Sequence, residues 1–199
     1  TPSTDVDAIL EKVKEQYAAY QANPEGYFDS VELMELDTLV GGKGINNPDL
    51  VKVLAENSGP AIDYLETLGM TIHNVGAFGG ASVKRIHRPV DENNKVIAVG
   101  SYMVPILEKN VNDRKNITLL TSVTADKIEQ DDAGNVTGVH ALSADGSQVN
   151  VKAKAVIIAT GGFAANREMV EKYQPSLKGY MSTNASGALG QGITMAEAI

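Results

Sequence analysis

The chain has no cysteine among its 199 residues. This excludes disulfides, thiolate-held metals and covalent thiol attachment of a cofactor within it. It has three histidines, His73, His87 and His140, no two of them at the spacing of helical metal ligands, so no metal site is expected. No run approaches the ~18 consecutive apolar residues of a membrane span. The stretch Thr1-Pro2-Ser3-Thr4-Asp5 carries neither the basic region nor the apolar run of a signal peptide. Positive charge is also scarce: 17 Lys and Arg against 25 Asp and Glu give a net charge of −8. That balance argues against a nucleic-acid partner, which needs clustered cations. The GxGxxG turn that usually anchors a dinucleotide pyrophosphate is missing as well. Internal repeats, low-complexity tracts and flexible linkers are likewise absent.

What remains is the composition of a globular protein, with 43% hydrophobic and 21% charged residues. The length suits one good-sized domain or two small ones. Residues 1–70 read as mainly helical. From Asp5 to Gln21, Val6, Ile9, Leu10, Val13, Tyr17 and Tyr20 recur near the spacing of one helical face, and Asn23-Pro24-Glu25-Gly26 stops the pattern. Ser30 reads as the cap of a second helix that ends at Gly41-Gly42. Asn47-Pro48 is a cap followed by proline at the first helical position, and Gly59-Pro60 is expected to restart a further helix that ends near Leu68-Gly69.

Residues 71–199 read as α/β. A helix is expected from Tyr102 to Val111. Ile117 to Leu120 and Ser122 to Glu129 look extended, and Val136 to Leu142 and Gln148 to Val151 complete a meander. The run Ala155-Val156-Ile157-Ile158-Ala159 is apolar without alternation, the pattern of a strand buried on both faces of a parallel sheet. A helix from Asn166 to Tyr173 follows, and an apolar one starts at Gly192. That buried strand needs parallel neighbours which the sequence barely supplies, and the last helix stops within about two turns. The chain is therefore expected to be a piece of something larger.

Three clusters could carry chemistry. The first is Val156 to Phe163, where a buried strand ends in Thr160-Gly161-Gly162. Open α/β sheets bind ligands at such carboxyl edges, and glycines let backbone N–H groups approach phosphate or ring atoms. The competing reading is a plain strand-to-loop turn. The second is the glycine-rich stretch Asn74 to Ser82, followed by Arg85, His87 and Arg88. It reads either as an anionic site built on arginine forks or as a surface loop with solvated arginines and a structural histidine. The third, Thr183 to Gly192, reads as a ligand loop leading into a helix N-terminus or as a connection with local Ser and Asn caps. His140, in an alternating strand, reads as structural.

These segments together resemble one family. Gly42…Ile45-Asn46-Asn47-Pro48-Asp49-Leu50-Val51, Asn57-Ser58-Gly59-Pro60-Ala61-Ile62-Asp63-Tyr64-Leu65 and Gly79-Gly80-Ala81-Ser82-Val83…His87-Arg88-Pro89 occur in its order and spacing. So do Gly134-Asn135-Val136-Thr137-Gly138-Val139, Ala159-Thr160-Gly161-Gly162-Phe163…Asn166 and Ser182-Thr183-Asn184…Gly187…Gly190-Gln191-Gly192. The stretch 28–199 is similar to the soluble fumarate reductase flavoproteins, including the flavocytochrome c and urocanate reductase branches.

The resemblance implies an α/β fold, a partial Rossmann-like FAD-binding domain with a helical N-terminal part and a β-meander. Residues 1–199 would be an interior segment of a domain that is split in sequence, ahead of an inserted clamp domain. It implies FAD contacts from Val123, Ala159, Thr160, Gly161 and Gln191, with Gly162 in the same turn, and places Phe78 against the substrate. Relatives often carry methionine at Phe78 and aspartate at Gln191. The implied reaction reduces the C=C bond of an unsaturated carboxylate, with protein groups orienting and polarising the substrate. The family's proton-donating arginine falls beyond Ile199, so no catalytic residue is assigned here, and the piece alone is expected to be inactive. Implied partners are the rest of the FAD domain, the clamp domain and an electron-donor domain. Two alternatives stand beside this: a dehydrogenase or oxidase of the succinate dehydrogenase and aspartate oxidase group, and a flavin-free interaction module on the same scaffold.

Overall fold

The computed structural model describes residues 2–199, and side chains from Val6 onward. The chain divides into two compact units, one running to Thr118 and the other from Leu119 to Ile199.

Three helices open the first unit: α1 (Pro2–Ala22), α2 (Val31–Gly41) and α3 (Pro48–Thr67). Their ends follow local chemistry. Ser30 caps α2 by accepting the Leu33 N–H at 3.1 Å, and Asn47 Oδ1 caps α3 by accepting from Asp49 N–H at 3.0 Å, each satisfying a donor that has no partner inside the helix. Val13, Leu39, Val51 and Ala55 bury the faces these helices share. Tyr17, Tyr20 and Phe28 form an aromatic cluster at the end of α1.

The expected restart at Gly59-Pro60 does not occur, because α3 runs through Pro60 without interruption. Proline there deprives the Glu56 carbonyl of its donor. Glu56 is exposed, so water can serve that carbonyl and the helix continues.

Two carboxylates one turn apart on α2 have opposite surroundings. Glu32 is hydrogen-bonded by Lys12, and by Gln16 at 2.7 Å, which brings its pKa to about 2. Glu35 is buried, and burial raises its carboxyl above the ordinary range.

After α3 the chain forms a small antiparallel ribbon of β1 (Asn74–Gly76) and β2 (Ile86–Arg88), with Val75 opposite His87. Buried Met70, Ile72 and Pro89 flank it. Helix α4 (Val99–Asn112) closes the unit, and its Asn110 side chain donates to the Leu68 carbonyl at 2.9 Å.

The second unit is built on the meander β3 (Val123–Gln130), β4 (Val136–Ser143) and β5 (Gln148–Lys152), paired antiparallel in that order. At the β3–β4 turn, Gly134 has φ +81°. The Asp131 carboxylate there accepts from the Ala133 and Asn135 amides. Gly138 in β4 lies so close to β5 that a Cβ would come within 2.2 Å of the Val151 carbonyl oxygen. Helices α5 (Arg167–Tyr173) and α6 (Gln191–Glu197) follow. Helix α6 packs on β3, where Met195 and Ile128 are both buried.

Two expected strands do not form. Ile117 to Leu120 makes no ladder and is exposed. The run Ala155–Ala159 is no buried strand either: Ile157 is 91% exposed. Among the described residues no backbone–backbone hydrogen bond involves residues 154–162. The expected strand buried on both faces is therefore not found: among the described residues no strand pairs with this run, and most of it is exposed.

Candidate functional site in two glycine-rich loops

In the second unit, the turn after the apolar run carries Thr160, Gly161 and Gly162, all exposed. Gly161 has φ +73°, a left-handed conformation that a side chain strains. Nothing lies within 4 Å of where a Cβ would sit at Gly161 or Gly162. Among the described residues, no backbone–backbone hydrogen bond involves the N–H groups of this turn, and the space beside its two glycines is open.

The Gly190-Gln191-Gly192 segment is brought directly onto this turn. A Cβ on Gly192 would come within 2.1 Å of Thr160 Oγ1 and 2.5 Å of Ile158 Cγ2. A Cβ on Gly190, at φ +82°, would come within 2.4 Å of Met169 Sδ. Only glycines allow this approach. Gln191 is the first residue of α6, is exposed, and makes no side-chain hydrogen bond among the described residues. Gly190 occupies the cap position, so the helix-cap role does not fall to Gln191.

Asn166, which closes the Ala159…Asn166 motif, ties this arrangement together through bonds that the sequence did not reveal. Its Oδ1 accepts the Met169 N–H at 3.1 Å and caps α5. Its Nδ2 donates to the Leu189 carbonyl at 3.0 Å, and the Ala165 N–H donates to the Ala188 carbonyl at 3.0 Å. The sequence had marked it as a helix start and as the last residue of that motif, without the link to Leu189. Val123 opens β3, half-buried, opposite Ser143.

In the first unit, residues 77–85 link β1 to β2. Phe78 to Ala81 form a turn closed by Ala81 N–H to the Phe78 carbonyl at 3.3 Å, with Gly80 at φ +90°. Phe78 is 51% exposed. It lines an open groove of about 600 Å³ together with Tyr27, Met34, Ile62, Arg85 and His87.

Neither earlier reading of the arginines describes Arg85. Its side chain is 10% exposed and is held between two carboxylates. Nη2 and Nε donate to Asp29 at 2.7 and 3.0 Å, and Nη1 donates to Asp37 at 2.6 Å. The same Asp37 oxygen accepts the Ser82 N–H at 3.0 Å and hydroxyl at 2.8 Å. Burial alone would raise the Asp37 carboxyl, but the bonds from Arg85 and Ser82 outweigh it and hold it below the usual range. Arg85 is thus neither solvated nor free to take an external anion. Asp29 and Asp37 lie 56 and 48 residues away in sequence, and nothing local marked them.

Arg88 lies over Gly76, where a Cβ would sit 3.2 Å from its guanidinium. His87 Nδ1 lies 3.1 Å from the Ile72 carbonyl, His73 pairs with Glu66 at 2.7 Å, and His140 pairs with Asp126 at 2.5 Å.

Comparison with known proteins agrees with this architecture. The sequence profile of the FAD binding domain family matches residues 17–199. The chain belongs to that family, whose cofactor is FAD. A fumarate reductase (cytochrome) of Shewanella frigidimarina is 44% identical over 169 residues, covering 85% of this chain and 29% of the relative. A urocanate reductase of Eggerthella lenta is 38% identical over 185 residues, covering 88% of this chain and 28% of the relative. Among solved structures, the open conformation of a flavocytochrome c3 fumarate reductase superposes with a TM-score of 0.79 at 30% identity, over 92% of this chain and 31% of that one. The chain thus spans under a third of the length of these relatives.

The exposed turn fits part of such a cofactor. N–H groups at Thr160 to Gly162 that have no backbone partner among the described residues, with no side chain at two of the three positions, suit a flat group carrying hydrogen-bond acceptors. The preceding apolar run offers no competing charge.

Proposed function

We propose that the chain is an interior segment, residues 1–199, of a split FAD domain in an oxidoreductase that reduces the C=C bond of a small unsaturated carboxylate such as fumarate. The observation that carries this reading is the contact of Gly192 on Thr160. It brings together two motifs 32 residues apart, which on this reading form one surface toward the cofactor.

On this reading Ala159, Thr160, Gly161 and Gly162 present backbone donors to FAD. Gln191 supplies a side chain that both donates and accepts, and Val123 contributes backbone from the start of β3. When bound, FAD supplies the hydride chemistry. Phe78 gives the substrate an apolar wall that excludes water and so strengthens polarisation by neighbouring groups. On this reading the proton donor and most of the carboxylate-binding residues come from the rest of the protein, as do the clamp and electron-donor domains.

The reading is supported by the named activities of the 44% and 38% identical relatives. It is tested on the full-length protein. Purified enzyme should carry stoichiometric flavin, and its reduced flavin should be reoxidised by fumarate, urocanate or acrylate. Full-length protein without flavin, or flavin inert to all three acids, would overturn it. The isolated chain should retain little FAD after desalting, because it has no glycine-rich pyrophosphate turn.

A further inference from the structure

We propose that Asp37 is a positioning residue for the proposed substrate site, acting through Ser82 and Arg85 to fix the turn that presents Phe78; this rests on the reading of Phe78 as a substrate wall. The turn itself is short of constraints. Its glycines Gly79 and Gly80 restrict the backbone little, and one 3.3 Å bond closes it. Left alone, such a turn would sample several orientations of Phe78.

Asp37 removes that freedom from the far side of the loop. One of its oxygens binds both the N–H and the hydroxyl of Ser82, one residue past the turn, as well as Arg85 Nη1. Arg85 in turn forks onto Asp29, which immediately precedes the cap of α2. The Tyr27 hydroxyl adds a bond of 3.2 Å to the Lys84 carbonyl. The loop's C-terminal half is thus fastened to the middle of α2 through Asp37 and to the residue just ahead of that helix's cap through Asp29, and Phe78 is carried on its other half. Fork geometry and charge make the Arg85 bonds strong and directional. Asp37 is not among the residues that line the Phe78 groove, so its effect should be one of orientation.

The experiment is a double-mutant cycle in the full-length enzyme. Asp37→Asn keeps the shape but loses the charge-assisted bonds, and Ser82→Ala removes one bond from the turn's edge. Phe78→Ala removes the wall. Each single variant should lower kcat/KM, with Asp37→Asn about tenfold down and flavin content unchanged. In the Phe78→Ala background, Asp37→Asn and Ser82→Ala should add no more than about a further twofold, because the residue they position is gone. Multiplicative losses would overturn the proposal while leaving Phe78 as a wall. Wild-type kinetics for Phe78→Ala would instead remove the wall reading, and the proposal with it. If Asp37→Asn does not fold, the Ser82→Ala arm gives the same decision.

Discussion

The loop from Ala77 to Arg85 and the stretch from Lys154 to Gly162 are both glycine-bearing and both carry proposed site residues, yet they are held in opposite ways. The first is fastened by two carboxylates, a guanidinium and a hydroxyl that all belong to its own unit. The second has no backbone–backbone hydrogen bond among the described residues and exposes Ile157 almost fully. A backbone that leaves its polar groups open is costly to bury without partners. The tied loop can therefore hold its shape alone, while the untied stretch is finished by whatever covers it.

Hydrogen exchange should show this contrast most strongly. In the isolated chain, the amides of Ile157 to Gly162 should exchange at nearly intrinsic rates. The Ser82 amide, bonded to Asp37, should be slower by about a hundredfold or more. In the full-length flavoprotein the first set should become protected. Equal protection of both sets in the isolated chain would erase the distinction.

Arg85→Met breaks the tied loop from the other side. It strands two carboxylates that are only partly exposed, and should cost about 3 kcal/mol in chemical denaturation of the first unit. A loss under about 0.5 kcal/mol would show the pairs to be a surface ornament. Gly192→Val tests the untied side. The added atoms would collide with Thr160 and Ile158, at a cost of about 1–3 kcal/mol. It should also weaken FAD binding in the full-length protein, measured by flavin titration.

The smallest expected effect separates two acids on α2. Asp37 has a lowered carboxyl, so its contribution to stability is complete above the ordinary aspartate range and is lost as pH falls through the depressed value. Glu35 has a raised carboxyl, so its charged form disfavours folding near neutrality, and acid relieves it. Glu35→Gln should raise Tm slightly at pH 7 and lose that gain below the ordinary glutamate range, whereas Asp37→Asn should lower Tm at pH 7 and converge on wild type in acid. Parallel pH profiles for the two variants would contradict these environments.

Much of this was legible beforehand where the physics is local. Ser30, Asn47 and Asn166 announce helix starts because a short polar side chain reaches an amide two or three residues on. The meander was legible because its alternation and its Asp131–Asn135 turn are contiguous in sequence. Gly59-Pro60 misled because local propensity counts against a helix that exposure makes tolerable. The run 155–159 misled differently: apolarity encodes a demand for neighbours and cannot supply them. Arg85 was singled out, but its pairing was invisible because Asp29 and Asp37 lie 56 and 48 residues away in sequence. The meeting of Gly192 with Thr160 came only from the structure, although both motifs had been singled out separately.

Asn166 has an architectural consequence. Its side chain joins the start of α5 to the carbonyl of Leu189, 23 residues later, and so it clasps the neck of a long excursion. The Ala165 N–H bond to the Ala188 carbonyl holds the same two ends together. Lengthening it near the exposed Tyr180 to Ser186 should leave Gly190 to Gly192 in register, as insertions at exposed loop tips usually do. Aspartate at 166 would keep the cap and lose the clasp, since a carboxylate cannot donate. If the amide sets this join, the size of the loop should be independent of the position of the proposed site.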